Sequence, residues 1–298
     1  MPDLSHVAEG ERLLEAGDHH AARAAFAAAV ARDPHDVRAR HGLAICLEAA
    51  GEDAQALAAY DEALALAPDD PGLGFSAGAL CQRMGLVDDA VRHYERVLDA
   101  VPDHALALAN LGAVHLVRGD LDGARALLEG ALALEPHALG VRLNLCAALE
   151  RAGDRDALVA CLEAGVALHP DHVPLRYGLA LAHRVRGDAA RAREGFLAVL
   201  ALDPASFEAC YRLGELCLEA GDAAGARSWL ERACALRPGH PAAENDLGVA
   251  LELTGDLDGA RERFARALAS DGAHAAARWN LGRQARAPLA VQAGTTIR

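Results

Sequence analysis

The stretch that decides the fold is Leu111–Pro136, LGAVHLVRGDLDGARALLEGALALEP. It contains two runs rich in Leu, Ala and Arg, which are strong helix formers, separated by Gly119 and Asp120. A glycine readily ends a helix because it has no Cβ and adopts a left-handed conformation, and an aspartate caps the helix that follows. Pro136 cannot extend the second helix. The stretch therefore predicts a hairpin of two helices joined by a tight turn.

The same pattern recurs every 34 residues, in windows that begin at residues 3, 37, 71, 105, 139, 173, 207 and 241. Position 15 of every window is glycine: Gly17, Gly51, Gly85, Gly119, Gly153, Gly187, Gly221 and Gly255. Position 32 is proline in all windows except the last, which has Gly272. Because no insertion shifts this register, we expect eight helical hairpins in series. Each window is one repeat, with helix A at about positions 2–14 and helix B at about positions 18–30.

Four further positions indicate how helices A and B pack. Position 20 is small where the helices cross: Ala22, Ala56, Ala90, Ala124, Ala192, Ala226 and Ala260, with Leu158 in the fifth repeat. Position 24 carries a large apolar residue, which we call the plug: Phe26, Tyr60, Tyr94, Leu128, Leu162, Phe196, Leu230 and Phe264. Position 7 is leucine in six repeats, and position 8 is small: Gly10, Ala44, Gly78, Gly112, Cys146, Ala180, Gly214 and Gly248.

The residue after the turn glycine is acidic in seven of the eight repeats: Asp18, Glu52, Asp120, Asp154, Asp188, Asp222 and Asp256. A carboxylate at this point caps helix B and faces the positive end of its dipole. Much of the net charge of −14 is therefore structural, and it does not by itself indicate a basic partner.

A leucine, a small residue, a turn glycine, a small crossing residue, a plug and a closing proline, at these spacings, resemble the tetratricopeptide repeat. The resemblance covers residues 3–274. It implies an all-α fold, a right-handed α-solenoid superhelix of stacked antiparallel helix hairpins. Residues 275–286 repeat the helix A pattern, so we expect a terminal helix there and a single solenoid domain over residues 3–286. We expect residues 287–298 to form a poorly ordered tail, with a docked tail as the alternative.

Composition limits the functions open to the chain. All 29 cationic residues are Arg, which excludes chemistry that needs a lysine, and the net acidic charge disfavours nucleic acid as a partner. No uncharged apolar run is long enough to span a membrane, and no signal peptide begins the sequence. Seven cysteines without a C-x-x-C pair indicate small buried thiols in a reducing compartment. We therefore expect a cytoplasmic protein that does not bind membranes.

Two patterns suggest chemistry, and neither fits its expected context. Residues 74–78, GFSAG, match the G-x-S-x-G nucleophile motif, but that motif follows a strand, and here a helix and a turn precede it. Position 34 is histidine in four repeats: His104, His172, His240 and His274. These lie on different hairpins, so one metal ion cannot collect them, and a role at the turn or the edge of the groove is favoured. We predict no enzymatic activity, no metal site and no cofactor.

The candidate partner-binding residues follow from the resemblance, because tetratricopeptide proteins line a concave groove with positions 2, 5, 6, 9, 12 and 13 of helix A. Position 5 carries large side chains: Phe75, Leu143, Tyr177, Tyr211 and Trp279. Rigid rings in this row are suitable anchors for a bound segment. The alternative is that they pack against the neighbouring helix A.

Position 6 carries Asn110, Asn144 and Asn280, similar to the asparagine ladder of the tetratricopeptide arm of O-GlcNAc transferase. There, side-chain amides hold the backbone of an extended peptide, because an amide both donates and accepts hydrogen bonds. Positions 12 and 13 add cations that could pair with acidic partner residues: Arg83, Arg151 and Arg184.

The sequence therefore predicts a non-catalytic protein–protein interaction scaffold that binds a peptide or helix of a partner protein in its groove. One alternative is an accessory or targeting subunit of a separately encoded enzyme such as a glycosyltransferase. Another is a receptor for a peptide or small-molecule signal. The identity of the partner and the oligomeric state stay open.

Overall fold

The computed structural model describes residues 5–286, and every regular element in that range is an α-helix. The helices are α1 (Ser5–Glu15), α2 (His19–Arg32), α3 (Val37–Ala49), α4 (Asp53–Leu66), α5 (Pro71–Arg83), α6 (Val87–Ala100), α7 (Ala105–Arg118), α8 (Leu121–Leu134), α9 (Leu139–Ala152), α10 (Arg155–Leu168), α11 (Val173–Val185), α12 (Ala189–Leu202), α13 (Phe207–Glu219), α14 (Ala223–Leu236), α15 (Pro241–Leu253), α16 (Leu257–Ser270) and α17 (Ala275–Arg286). Odd-numbered helices are the A helices. The terminal helix predicted at 275–286 is confirmed, and the predicted tail at 287–298 lies outside the described residues.

The chain divides into two compact units, residues 1–154 and 155–298. Within the described part of each unit, every helix packs against the helices next to it in sequence, so α1–α9 and α10–α17 are each a stack of α-solenoid type. The predicted all-α architecture of stacked hairpins is confirmed. The boundary falls in the turn between α9 and α10, inside the fifth repeat. A single solenoid over residues 3–286 with a right-handed superhelix stays a prediction.

The turn between helices A and B has the backbone that the sequence predicts. All eight glycines at position 15 have positive φ, between 73° and 90°. Five aspartates after these glycines accept a hydrogen bond from a backbone N–H in the first turn of helix B: Asp18, Asp120, Asp188, Asp222 and Asp256. The prediction is wrong at Glu52, which makes no capping hydrogen bond and instead pairs with Arg23 at 2.5 Å. A glutamate is one methylene longer than an aspartate and less suited to this short cap.

The four histidines at position 34 cap the A helices that follow them. The Nδ1 atom of His104 accepts a hydrogen bond from the backbone N–H of Ala107 at 3.1 Å. His172, His240 and His274 make the same contact three residues ahead. The predicted role of these histidines at the turn is therefore confirmed. Each imidazole accepts a hydrogen bond from a backbone N–H that has no partner within the helix.

The core of each hairpin forms where the plug meets position 8 of the same repeat. The aromatic plugs are all buried: Phe26, Tyr60, Tyr94, Phe196 and Phe264. At Gly78, a Cβ would lie only 2.8 Å from the Tyr94 ring, and at Gly248 it would lie 2.5 Å from Phe264. The plug thus takes the space that a side chain would need. The alanines at position 20 are fully buried at the helix crossing.

The cysteines are core residues, as the sequence predicts. All seven are buried. Burial raises the pKa of the Cys234 thiol to about 12, with further raising from Glu244 nearby. Such a thiol stays protonated and is a poor nucleophile.

Close packing of the plug against position 8 predicts that replacing glycine by alanine affects the free energy of unfolding differently at two positions of the first unit. Gly78→Ala should lower the free energy of unfolding by about 1–3 kcal/mol, because the new methyl group overlaps the Tyr94 ring. Gly140→Ala is the control, since no atom outside its own helix lies within 4 Å of that Cβ position. The control should be neutral or slightly stabilising. Urea unfolding followed by circular dichroism measures both, and equal effects would contradict this packing.

Candidate partner-binding face

The candidate residues lie on what we call the A-helix face, formed by positions 2, 5, 6, 9, 12 and 13 of the A helices. Neighbouring A helices contact each other within a unit: α1 with α3, α5 with α7, α7 with α9, and α13 with α15. Six candidates belong to the first unit: Phe75, Arg83, Asn110, Leu143, Asn144 and Arg151. Four belong to the second: Tyr177, Arg184, Tyr211 and Trp279.

In the first unit, α7 exposes an apolar stripe. Leu106 is 53% exposed and Val117 is 80% exposed. Leu106, Asn110 and Val117 are four and seven residues apart, so they share one face of the helix. Leu143, on the adjacent α9, is 39% exposed. Large exposed apolar side chains on neighbouring helices provide a surface that a partner can cover.

The two asparagines of this unit are half-buried, at position 6 of α7 and α9. The Asn110 amide donates to the Tyr94 hydroxyl at 3.2 Å, and that hydroxyl donates to Gln82 at 2.9 Å. Asn144 makes no side-chain hydrogen bond to residues 5–154. An amide has two N–H donors and a carbonyl acceptor, so both residues retain hydrogen-bonding capacity.

Three other candidates of the first unit are occupied by contacts within it. Phe75 is half-buried, stacked on His104 at 5.3 Å between ring centroids and tilted against Tyr94 at 6.0 Å. The Arg83 guanidinium pairs with Glu48 and Asp53 at 2.6 and 2.8 Å. Arg151 donates to the backbone carbonyl of Leu116 at 2.5 Å. Phe75 therefore packs within the stack, and the two arginines already have partners in neighbouring repeats.

In the second unit, side chains at positions 5 and 6 form hydrogen bonds between adjacent repeats. Arg212 donates to the Tyr177 hydroxyl at 3.5 Å. Tyr211 donates to Asp246 at 3.0 Å, and Asn280 donates to Asn245 at 3.0 Å. Each hydrogen bond joins position 5 of one repeat to position 6 of the next. This row of side chains at positions 5 and 6 therefore links α11, α13, α15 and α17.

The aromatic candidates of this unit differ in what surrounds them. Tyr177 and Tyr211 are half-buried and pack against the core, Tyr177 at 5.6 Å from the Phe196 ring and Tyr211 stacked on Phe207 at 5.8 Å. Trp279 is 66% exposed. The two tyrosines therefore match the packing alternative, whereas the Trp279 ring has little contact with the rest of the described chain.

Arg184 and Arg212 both pair with acids of α13, which for Arg184 belongs to the next repeat and for Arg212 is its own helix. Arg184 pairs with Glu215 at 2.5 Å and with Glu219 at 2.6 Å. Arg212 also pairs with Glu215, at 2.7 Å. The sequence predicts that Arg184 pairs with acidic residues of a partner protein. In the structure its guanidinium group already pairs with two glutamates of this chain.

Asp246 is the carboxylate of this row, and its surroundings change its pKa. Burial raises its pKa, while hydrogen bonds from Asn245 and Tyr211 act in the opposite direction and Glu215 adds repulsion. Burial, with the negative charge of Asp246 second, raises the pKa of Tyr211. The tyrosine therefore remains a hydrogen-bond donor to Asp246.

Two tetratricopeptide-repeat family profiles match the chain, one at residues 7–71, 82–138, 147–207 and 184–241 and the other at residues 218–285. Together they cover well over half of the sequence. The chain belongs to the tetratricopeptide repeat family. No curated protein matches its sequence.

Solved structures share the tetratricopeptide fold with this chain at low sequence identity. The MamA protein has 23% identity and a TM-score of 0.53, covering 56% of this chain and 92% of its own. A tetratricopeptide repeat protein from Parabacteroides merdae has 17% identity and a TM-score of 0.54, covering 83% and 98%. YrrB, described as having an unusual peptide-binding site, has 17% identity and a TM-score of 0.54, covering 62% and 96%. At these identities the likeness shows the fold alone.

Across residues 5–286, no three His, Cys, Asp or Glu side chains are arranged to hold a metal ion. No described helix combines the length and the apolar character needed to cross a membrane.

Sequence reasoning missed the exposed stripe on α7 and the hydrogen-bonded row in the second unit. Leu106 and Val117 stand at positions 2 and 13, both assigned to the face by the family resemblance, so a search for leucine and valine there would have found them. The partners of Tyr177 and Tyr211 lie 35 residues away. A comparison of position 5 with position 6 of the following repeat is the signal that would have revealed them.

Packing of the two tyrosines predicts a loss of stability on truncation. Tyr177→Ala and Tyr211→Ala should each lower the free energy of unfolding by about 2 kcal/mol or more, because each removes a ring packed on the core and one bond between repeats. Trp279→Ala, which removes an exposed ring, should have a much smaller effect. Thermal unfolding measures the difference. Tyrosine variants as stable as the tryptophan variant would show that the rings do not hold the stack together.

The raised pKa of Asp246 predicts a pH-dependent difference between wild type and Asp246→Asn. The folded state holds this proton more tightly than the unfolded chain does. The contribution of Asp246 to stability therefore falls as pH rises from the ordinary value of 3.8 through the raised pKa. The variant lacks this titration, so its Tm relative to wild type should increase as pH rises from 3.8 through the raised pKa. A constant difference as pH rises would be inconsistent with a carboxylate whose pKa is raised by burial.

Proposed function

We propose that this chain is a non-catalytic scaffold that binds an extended peptide segment of a partner protein on the A-helix face of residues 5–154. The observation that carries the proposal is the exposed apolar set Leu106, Val117 and Leu143, which lies beside Asn110 and Asn144 on adjacent helices. Proteins of this family are typically non-catalytic interaction scaffolds, which supports the assignment. The peptide-binding site in the name of YrrB supports the class of ligand.

The two kinds of side chain on this face have different tasks in binding. Apolar side chains of the peptide would cover Leu106 and Leu143, each contributing roughly 1–2 kcal/mol when fully removed from water. The amides of Asn110 and Asn144 would align the peptide backbone, because each offers both a donor and an acceptor to any peptide unit. Apolar contacts would thus provide affinity, and the amides would fix the register.

The charge of this surface indicates the character of the bound segment. None of the six face positions of α7 is charged: Leu106, Ala109, Asn110, Ala113, Leu116 and Val117. A segment with small or apolar residues at alternate positions fits α7 better than a charged one. Because few charges meet, affinity should depend only weakly on salt concentration.

A displayed library of random peptides of about 12 residues, long enough to cross several helices in extended form, tests the proposal. Peptides selected on the wild-type chain should bind the Leu106→Asp, Leu143→Asp double variant at least roughly tenfold more weakly, because two buried apolar contacts become carboxylates. Leu134→Asp is the matched control, since Leu134 is 42% exposed in the same unit but belongs to a B helix. The control should bind as wild type does.

Three results would contradict the proposal. Peptides that bind wild type and the double variant equally would place the binding site elsewhere. Failure to select any peptide on the correctly folded chain would remove the peptide-binding assignment altogether. Reproducible turnover by the purified chain, lost in a variant that still folds, would replace the scaffold by an enzyme.

A further inference from the structure

The terminal helix α17 is a helix A that no helix B follows within residues 5–286. It makes the same contact with the preceding turn as an earlier A helix does. Arg278 donates to the backbone carbonyl of Gly272, as Arg176 donates to the backbone carbonyl of Pro170 three repeats earlier. Its residue at position 5 is Trp279 and its residue at position 8 is Gly282. The helix therefore carries the surface that, in each complete repeat, receives a plug.

In complete repeats, a glycine at position 8 is covered by the plug. The distance from the Cβ position to the nearest plug atom is 2.7 Å at Gly10, 2.8 Å at Gly112 and 2.5 Å at Gly214. At Gly282, among the described residues, no atom outside the helix's own backbone lies within 4 Å of the Cβ position. No residue of the part of the chain that the structure describes fills the space on α17 that a phenylalanine or leucine fills in the complete repeats.

The ring at position 5 of a repeat also contacts the plug that covers position 8. The ring centroids of Phe75 and Tyr94 are 6.0 Å apart, and those of Tyr177 and Phe196 are 5.6 Å apart. Positions 5 and 8 are three residues apart and therefore share a face of the helix. On α17 this pair is Trp279, exposed to 66%, and Gly282. We call this pair the socket.

Solvation alone does not explain the socket. A terminal helix that only shields the stack from water favours polar residues and good helix formers on its outer face. A glycine weakens the interior of a helix relative to alanine, and nothing described near Gly282 prevents a side chain. A large exposed indole beside it adds apolar surface rather than covering it.

The sequence after α17 does not continue the repeat pattern. Continued in register, positions 15, 20 and 24 of a ninth repeat would be Leu289, Gly294 and Arg298. None matches the turn glycine, the crossing alanine or the apolar plug of the other repeats.

The charge of α17 indicates which helix would fit. Its sequence contains three arginines and no acid, in a chain whose net charge is −14. Arg283 is shared between Glu252, at 2.6 Å, and the Trp279 ring, at 5.3 Å from the centroid. An acidic helix complements this surface, whereas a basic one is repelled by it.

We propose that the socket formed by Trp279 and Gly282 binds an acidic amphipathic helix of a partner protein. The bound helix inserts a bulky apolar side chain over Gly282 and against Trp279, and it carries a small residue four positions earlier, as the B helices of this chain do. It completes a ninth repeat in trans. The surface is separate from the peptide-binding face proposed for residues 5–154, so either assignment can fail without the other.

A peptide of residues 52–67, EDAQALAAYDEALALA, is a suitable probe because it is a helix B of this chain. It holds Ala56 and Tyr60 at the small and bulky positions, with four acids and no base. Fluorescence anisotropy of the labelled peptide with the full chain measures binding. Wild type should bind saturably, and the same peptide with Tyr60→Ala should bind at least roughly tenfold more weakly, because the plug supplies most of the buried apolar surface.

Two variants of the full chain locate the site. Gly282→Leu fills the socket and should weaken binding at least roughly tenfold. Ala126→Leu introduces a leucine at an exposed position of the B helix α8, away from the A-helix face, and should leave binding unchanged. Circular dichroism checks that both variants fold.

A peptide in which lysine replaces all four acids should bind more weakly than the parent at low salt.

Three outcomes would overturn the proposal. The first is no saturable binding of the probe to the folded full chain. The second is equal affinity of wild type and Gly282→Leu, which would place the probe elsewhere, for instance in exchange with α4. The third is self-association of the chain that Gly282→Leu abolishes, which would show that a second copy, rather than an acidic partner helix, fills the socket.

Discussion

The contact between a bulky plug at position 24 and a small residue at position 8 determines how each hairpin closes. At Gly248 and Gly78 the plug ring lies where a Cβ would be, so the two helices approach until ring and backbone meet. The alanine at position 20 allows a close crossing on the other side of the plug. These three positions set the angle and spacing of helices A and B, and the turn glycine with positive φ makes the short connection between them possible.

The plug meets position 8 of helix A, and position 5, which borders that contact, also lies close to the next repeat. In the second unit position 5 is used largely for joining repeats: Tyr177, Tyr211 and Asn245 each reach a polar group in the next repeat. On α7, small and apolar residues leave the side chains of Leu106 and Val117 in water. The A-helix face therefore joins repeats in the second unit and leaves apolar side chains exposed on α7 of the first.

The fold could be predicted from the sequence because every element of the hairpin is marked locally. Gly119, Ala124 and Leu128 each act within one hairpin, and the same pattern recurs every 34 residues along the chain. The candidate site was less predictable. Whether Tyr211 faces a partner or the stack depends on Asp246, 35 residues away, and the fate of Arg184 depends on Glu215 and Glu219 in the next repeat. Position within the repeat identifies the face, but only the neighbouring repeat decides which side chains on it remain available.

A double-mutant cycle between Gly248→Ala and Phe264→Ala tests the central contact most directly. The account predicts that the alanine at position 248 is destabilising opposite phenylalanine and much less so once the plug is truncated to alanine, with a coupling energy of about 1 kcal/mol or more in urea unfolding. Strictly additive effects would show that the plug does not press on position 8. The packing that underlies both proposed binding surfaces would then have to be described differently.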